Sequence, residues 1–293
     1  MSSYQRLGDA QLLYVEPIGA WPDQVGAGEY WPPTPTPVIA LFERAYTGDR
    51  DDDTTWHCIH ELQLRHTPEV FDSAMDYCQS RDPRWREIGL DVLAQLGADR
   101  PSEQRWYRPE CRTTALRGLN DPNIHVVRSA AMALAHLNAD CSTTDALLGL
   151  EGHPDAEVRV AVTAGLVGQN TVESRQALLR LMEDENQDVR EWATTAIGQS
   201  AEPSPEVVRA LQKRWNEETF EDARNQALWG LARFRDRAAI EELVERFRTA
   251  TWVSGDMAAI RELHGYQDDD PPIWEIIEAT RYYLYSNPGP PSR

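Results

Sequence analysis

A pattern of small and apolar residues at helical spacing recurs through the middle of the chain. Each copy begins with a turn rich in Asp and Pro and continues with an arginine position. Mostly small residues follow three and six positions after it, and an aliphatic residue follows after seven. The copies begin at Asp82, Asp121, His153, Asp184 and Glu218. Because these spacings lie on one face of an α-helix, each copy predicts a helix that its neighbours can approach closely.

A second amphipathic segment follows each of these helices. The clearest examples are residues 171–183, 204–217 and 237–250. The arginine positions Arg159, Arg190 and Arg224 are 31 and 34 residues apart, which predicts a helical hairpin of that length as the repeating unit. One hairpin cannot bury its own apolar face, so we expect the hairpins to stack side by side.

The repeated motif resembles the HEAT repeat, in particular the short HEAT-like repeats of bilin (phycobilisome) lyases, over roughly residues 82–250. The resemblance implies an all-α, right-handed α-solenoid of about six hairpins, with an irregular N-terminal cover and a C-terminal capping helix. It also implies that the turn Asp and the motif Arg tie adjacent repeats together by hydrogen bonds. That structural role falls to Asp82, Arg86, Asp121, Arg159, Asp184, Arg190 and Arg224.

The ends of the chain depart from the repeat pattern. Residues 1–54 contain many prolines and glycines and predict an irregular segment with a short capping helix at 38–46. Repeats are expected over 55–251, capping helices over 252–286 and a frayed tail over 287–293. The aromatic residues Trp274, Tyr282, Tyr283 and Tyr285 fit either a hydrophobic cap or an exposed docking patch. Trp106 and Tyr107, in an insertion, fit either a partner contact or a core anchor.

Composition and charge narrow the possible functions. Of 293 residues, 41% are hydrophobic, which is enough for a sizeable core, and the net charge is −19. A field of that sign repels phosphate backbones and anionic lipid. No signal peptide and no apolar run of about 20 residues is visible. Four cysteines without a CxxC pair favour reduced thiols and a cytoplasmic protein.

The histidine-rich segment at residues 57–66 is the best candidate for a metal site. A zinc protease places two histidines four residues apart on one helix face, whereas His60 and His66 are six apart. His57 and Glu61 lie one turn apart, but two ligands do not make a zinc site. Because no other catalytic motif is present, the sequence predicts neither a metal nor another cofactor, and no enzyme activity.

A basic ridge is the candidate binding surface. If the second helices line the concave side, their exposed positions should align. The residues concerned are Arg180, Arg209, Lys213 and Arg246. One interpretation is a solvated face with ion pairs inside each helix; the other is a groove for an acidic or phosphorylated segment. The overall negative charge also admits a basic protein partner, for example a cationic toxin neutralised in the manner of bacterial immunity proteins.

The sequence is therefore compatible with three functions. The first is a non-catalytic scaffold that binds a protein. The second is a bilin-lyase-like chaperone or lyase subunit, which rests on the repeat resemblance alone. The third is a DNA-alkylation-repeat glycosylase, which would need a basic groove with a catalytic Asp beside a Trp such as Trp192 or Trp229. The net negative charge speaks against nucleic acid as the partner.

Overall fold

The computed structural model describes residues 36–97, 107–137, 141–169, 171–249, 251–264, 279–280, 283–284 and 286. Fourteen α-helices and no strand occur within these ranges, as the all-α prediction requires. The helices are α1 (Val38–Thr47), α2 (Asp53–Arg65), α3 (Pro68–Tyr77), α4 (Pro83–Ala94), α5 (Arg108–Gly118), α6 (Ile124–His136), α7 (Cys141–Leu148), α8 (Ala156–Leu166), α9 (Val172–Leu181), α10 (Gln187–Ser200), α11 (Pro205–Glu217), α12 (Glu221–Arg233), α13 (Arg237–Arg248) and α14 (Ser254–His264).

The contacts within the chain define two compact units, Met1–Gln169 and Asn170–Arg293, which we call unit 1 and unit 2. The division falls inside the predicted repeat region of 55–251. The boundaries that the sequence indicates at residues 54, 251 and 286 stay predictions. Residues 1–35, Trp106, Trp274, Tyr282 and Tyr285 lie outside the described part of the chain.

Each unit is built from two layers of helices. The motif layer consists of α2, α4, α6 and α8 in unit 1 and of α10, α12 and α14 in unit 2. The amphipathic layer consists of α1, α3, α5 and α7 in unit 1 and of α9, α11 and α13 in unit 2. Within a unit, successive motif helices pack directly on one another, whereas successive amphipathic helices make few contacts.

The pairing of helices within a hairpin differs from the pairing that the sequence suggests. The sequence predicts that each motif helix pairs with the amphipathic segment after it. The structure instead packs each motif helix mainly against the amphipathic helix before it: α4 on α3, α6 on α5, and α12 on α11. The Asp-rich turn is therefore the loop inside a hairpin, and the motif helix is the second helix of the pair.

The turn residues begin the motif helices. The side chains of Asp82, Asn123, Asp155 and Asn186 each accept a hydrogen bond from the backbone N–H two residues later. These bonds satisfy donors that the helix itself leaves free at its N-terminus. Phe220 stands at the equivalent position before α12 and makes no such bond.

Small residues let the motif helices approach at backbone distance. At the contact between α10 and α12, Gly198 faces Gly230, and a Cβ atom placed on Gly230 would lie only 2.8 Å from the Cα atom of Gly198. Ala193, Ala196 and Ala227 are completely buried in the same region. The face identified from the sequence pattern is therefore the seam between motif helices.

The motif arginines link consecutive turns. Arg86 donates through Nη1 to the carbonyls of Ser80 and Arg81, at 2.9 and 3.1 Å, in its own turn. The same guanidinium donates through Nε and Nη2 to the carboxylate of Asp121, in the next turn, at 2.7 and 2.8 Å. One planar group thus holds two successive turns in register, a geometry that arginine provides and lysine does not.

Arg190 repeats this arrangement in unit 2. Its Nη1 donates to the carbonyls of Asp184 and Glu185, both at 3.0 Å, and its Nε and Nη2 donate to Glu218 at 2.8 and 3.0 Å. Arg214 also donates to Glu218, at 2.7 Å. These hydrogen bonds, above all those of Arg190, lower the pKa of Glu218 to about 2.

The other motif arginines vary around this geometry. Arg159 is buried and donates to the carbonyls of its own turn, His153 and Pro154, at 2.8 and 3.3 Å. Arg128, beside the position that Val127 occupies, binds Asp155 of the next turn at 3.0 and 2.5 Å. Arg224 is exposed and has no ion-pair partner among the described residues, so the link that the resemblance implied is not formed there.

We expect Gly230→Val to lower the free energy of unfolding by about 2 kcal/mol or more, since the added carbons meet the backbone of α10. Gly152→Ala is the control, because a Cβ atom at Gly152 has nothing within 4 Å. Urea denaturation measures both changes. An unchanged midpoint for Gly230→Val would show that α10 and α12 do not approach this closely.

We expect Glu218→Gln to destabilise the protein at pH 7 by about 2–3 kcal/mol, because the buried Arg214 and the partly buried Arg190 lose their counter-charge. The pKa of Glu218 is lowered from 4.5 to about 2 on folding. Its stabilising contribution is therefore complete above pH 4.5 and is lost as the pH falls towards 2, so the two proteins should converge in acid. Glu217→Gln, at the exposed neighbouring residue, should change stability little at either pH.

Candidate functional site

The exposed side of the motif layer is the candidate binding face in each unit. The motif helices pack more tightly on one another than the amphipathic helices do. Solenoids bind partners on a concave surface lined by one layer of helices, so we take the motif layer as the candidate for that surface in each unit. The sequence predicts that the second helices of the hairpins line the concave side; because the second helices are the motif helices, this prediction now falls on them and stays a prediction.

The predicted basic ridge lies on the amphipathic layer. Lys213 binds Glu183 at 2.6 Å, with each side chain 48% exposed. Arg246 is largely buried, where it donates to Asn225 at 2.9 Å and to Asp256 at 3.3 Å. Arg180 and Arg209 are exposed. Arg246 therefore stabilises the fold of unit 2, and a binding role for the ridge stays a prediction.

Charged groups along the motif layer of unit 1 neutralise one another, and Glu87 among them is buried. The carboxylate of Glu87 in α4 is bound by Arg84 at 2.8 Å and by Arg50 at 3.0 Å. Further along, Arg128 in α6 binds Glu157 of α8 at 2.5 Å. This face of unit 1 therefore carries alternating charges in direct contact.

Asp91 in α4 and His136 in α6 are two residues of unit 1 whose pKa values burial shifts into or across the neutral range. Many protein atoms surround both residues, although each remains partly accessible to solvent. Burial raises the pKa of Asp91 to about 7 and lowers that of His136 to about 4. Arg84 and Arg50 oppose the shift of Asp91, so cationic groups already act on this carboxyl. His136 is uncharged at neutral pH.

The same face of unit 2 carries three carboxylates and no basic residue at the corresponding positions. Asp188 and Glu191 lie one turn apart on α10, and Asp222 lies at the start of α12. Burial, together with the charges of Asp222 and Asp188, raises the pKa of Glu191 to about 7. No described residue forms an ion pair with Glu191 or Asp222. The site is a locally anionic surface that retains repulsion between its own groups.

The histidine-rich segment and two of the cysteines are the remaining candidates for chemistry. His57 and His60 are exposed, and Glu61 forms an ion pair with Arg65. Across the described ranges, no three His, Cys, Asp or Glu residues are grouped as metal ligands. Burial raises the pKa values of Cys78 and Cys111 to about 12, which keeps both thiols protonated.

Two aromatic residues that the sequence left open are structural anchors. Tyr107 is buried and stacks on Phe71 with ring centroids 4.0 Å apart, so it anchors the core. Trp229 donates through Nε1 to Asp256 at 2.8 Å. Asp256 is fully buried and is held by Arg246, so it has no route to a substrate base. This Asp–Trp pair does not provide the catalytic group that a glycosylase needs.

Sequence reasoning missed Glu191 and Asp222 as candidate site residues. A signal for them was present, because Glu191 follows a motif arginine directly and Asp188 and Asp222 precede one by two positions. In α4, the position two before the motif arginine carries Arg84, and the position directly after it carries Glu87. Comparing the repeats position by position would have revealed the accumulation of acidic groups.

The fold defines a two-layer helical repeat protein, and the comparisons with known families identify the repeat. The protein-family model for HEAT repeats matches residues 143–232, and that for PBS lyase HEAT-like repeats matches residues 223–249. Residues 143–249 therefore carry HEAT repeats. A search of curated proteins found no sequence that matches it. None of the described helices is long and apolar enough to cross a membrane.

Solved structures show the same fold. YibA of Escherichia coli is similar with a TM-score of 0.58 and 19% identity, over 87% of this chain and 99% of YibA. Yeast importin-β (Kap95p) gives a TM-score of 0.50 and 14% identity, over 85% of this chain and 37% of Kap95p. A second structure of Kap95p, which describes its binding to RanGDP, gives a TM-score of 0.51 and 13% identity, over 86% of this chain and 37% of Kap95p. Identities this low establish the architecture alone.

We expect Glu191→Gln to stabilise the protein at pH 8 by about 1–2 kcal/mol, after allowing for solvent screening. The pKa of Glu191 is raised from 4.5 to about 7 on folding. The folded state therefore holds this proton more tightly, and stability falls as the pH rises from 4.5 to 7. The substitution removes this loss, so the difference between the proteins should disappear near pH 4.5. Urea denaturation at both pH values measures it, and a destabilised variant at pH 8 would contradict the assignment.

Proposed function

We propose that this protein is a non-catalytic scaffold that binds a basic protein partner on the exposed side of its motif layer. Solenoids of HEAT and armadillo type commonly present such a surface to other proteins. The observation that carries the proposal is that the motif layer packs against the amphipathic layer on one side only. On its other side, residues such as Gln199 and Asp222 remain exposed.

The charge of the chain supports a basic partner. A net charge of −19 attracts cationic proteins over long distances and makes the association fast and sensitive to salt. An immunity or adaptor protein that neutralises a cationic protein is one role with these properties. A cytoplasmic location would suit such a role.

A bilin-lyase-like activity is the second candidate, and one observation favours it: the match of residues 223–249 to the PBS lyase HEAT-like repeat. That match covers a single repeat and describes architecture more than activity. Incubation with a bilin, followed by visible absorption spectroscopy after gel filtration, tests it. A co-eluting pigment band would favour this candidate over the scaffold.

We expect the immobilised protein to capture one basic protein in stoichiometric amount from an extract of its own cells, and 0.5 M salt to release it. The double variant Arg209→Glu, Lys213→Glu should capture the same protein, because both residues lie on the amphipathic layer. Loss of capture with this variant would move the binding surface to the basic ridge. Absence of any stoichiometric protein would overturn the scaffold itself.

A further inference from the structure

We propose that the turn before α14, together with Arg224 of α12, forms a second binding surface for a short segment of another protein, in which an acidic residue adjoins a large apolar residue. Arg224 binds the carboxylate, and Trp252 and Val253 cover the apolar side chain. The surface lies at the turns of unit 2 rather than on the exposed side of the motif layer, so it does not depend on the function proposed above.

Two motif arginines bind a carboxylate at the same place in the next turn. Arg86 binds Asp121, three residues before the first residue of α6, at 2.7 and 2.8 Å. Arg190 binds Glu218, three residues before the first residue of α12, at 2.8 and 3.0 Å. The corresponding residue before α14 is Thr251, which has no carboxylate. The turn before α14 therefore lacks the acceptor that the other two turns supply.

Arg224 is left with an exposed guanidinium at the motif position of α12, and no described residue forms an ion pair with it. The start of α12 lies beside the turn before α14, because Arg246 bonds to both. Its Nη1 donates to Asn225 at 2.9 Å, and its carbonyl accepts from the backbone N–H of Thr251 at 2.9 Å. A guanidinium binds a carboxylate through two parallel hydrogen bonds. The position therefore favours a carboxylate that the described residues do not supply.

Two exposed apolar side chains follow Thr251 directly. Trp252 is 43% exposed and Val253 is 40% exposed, and they are the only two adjoining residues among the large hydrophobic side chains exposed over the described ranges. The ring of Trp252 lies against that of Phe247, with centroids 5.5 Å apart, which restricts its orientation before a partner binds. Tryptophan and arginine are enriched among the residues that contribute most to the affinity of protein interfaces.

Charge complementarity selects an acidic residue in the bound segment. Arg248, which precedes the turn, is already bound by Glu245 at 2.7 Å, whereas Arg224 has no such partner. The net charge of −19 repels an acidic segment at long range, but salt at physiological concentration screens this repulsion beyond about 8 Å. One acidic residue is therefore tolerated, and a polyacidic segment is not.

The apolar part of the surface determines the size of the occupant. An exposed ion pair contributes only about 0–1 kcal/mol, so the contact with Trp252 has to supply most of the affinity. A stable dimer buries about 800 Å² on each partner, far more than the side chains of Trp252 and Val253 offer. A short segment of another protein therefore fits this surface better than a second copy of the chain.

The test uses the full-length protein and a display library of random peptides, selected at 0.15 M salt. We expect the selected peptides to share an Asp or Glu within two positions of a large apolar residue. The double variant Arg224→Glu, Trp252→Ser should bind the most enriched peptide at least tenfold more weakly in fluorescence anisotropy. An unchanged Tm would show that the variant remains folded, as expected for two exposed residues.

The matched control is the double variant Arg117→Glu, Ile39→Ser, which makes a similar change in charge and polarity at exposed residues of unit 1. Its affinity for the same peptide should stay within twofold of the unaltered protein. A peptide with Arg in place of its acidic residue should lose affinity for the unaltered protein and regain it for the single variant Arg224→Glu, because the charges of the pair are then exchanged.

Three results would overturn the surface: no enriched motif of this kind, equal weakening by the two double variants, or unchanged affinity when the acidic residue of the peptide becomes an amide. Self-association in sedimentation velocity that Trp252→Ser abolishes would assign the surface to a second copy and would also overturn the proposal. The binding of a basic partner to the motif layer is judged separately, by the capture experiment.

Discussion

A single arginine that bonds in two directions organises these repeats. In Arg86 and Arg190, one edge of the guanidinium satisfies carbonyls of its own turn, and the other binds a carboxylate of the next turn. The carbonyls and the carboxylate both belong to turns that begin motif helices, so the link sets the spacing between those helices. Small residues such as Gly198 and Gly230 then become a requirement, because larger side chains would hold the helices apart.

The carboxylates near these turns form two groups: those that a motif arginine binds, and those that it does not bind. Asp121, Asp155 and Glu218 are each bound by an arginine of the repeat before them. Glu191 and Asp222 lie beside the link without taking part in it. An unpaired, half-buried carboxyl such as Glu191 lowers stability at neutral pH, and proteins tend to accept such losses at positions that serve binding. Among the described residues, carboxylates bound by an arginine therefore lie in the seams, whereas Glu191 and Asp222 on one face of unit 2 form no ion pair.

Helical periodicity predicted which face of each helix is buried, but it did not predict which helix lies opposite that face. Helical periodicity correctly separated buried positions such as Leu211 and Leu243 from exposed ones such as Arg209. It did not reveal that Arg246 turns inward to Asp256, or that α4 packs mainly on the helix before it. Periodicity describes the faces of one helix, whereas these features depend on which other helix lies opposite each face.

The sequence by itself determined the repeat, its all-α class, the turns that begin the motif helices and the small residues of the seam. These follow from local preferences and from spacing along one helix, so neighbouring residues are sufficient to specify them. Only the tertiary structure decided which layer forms the tighter side and which charged groups find a counter-charge. The partners of an ion pair such as Arg190 and Glu218 lie 28 positions apart, and the energy of a charge depends on every group that folding brings near it.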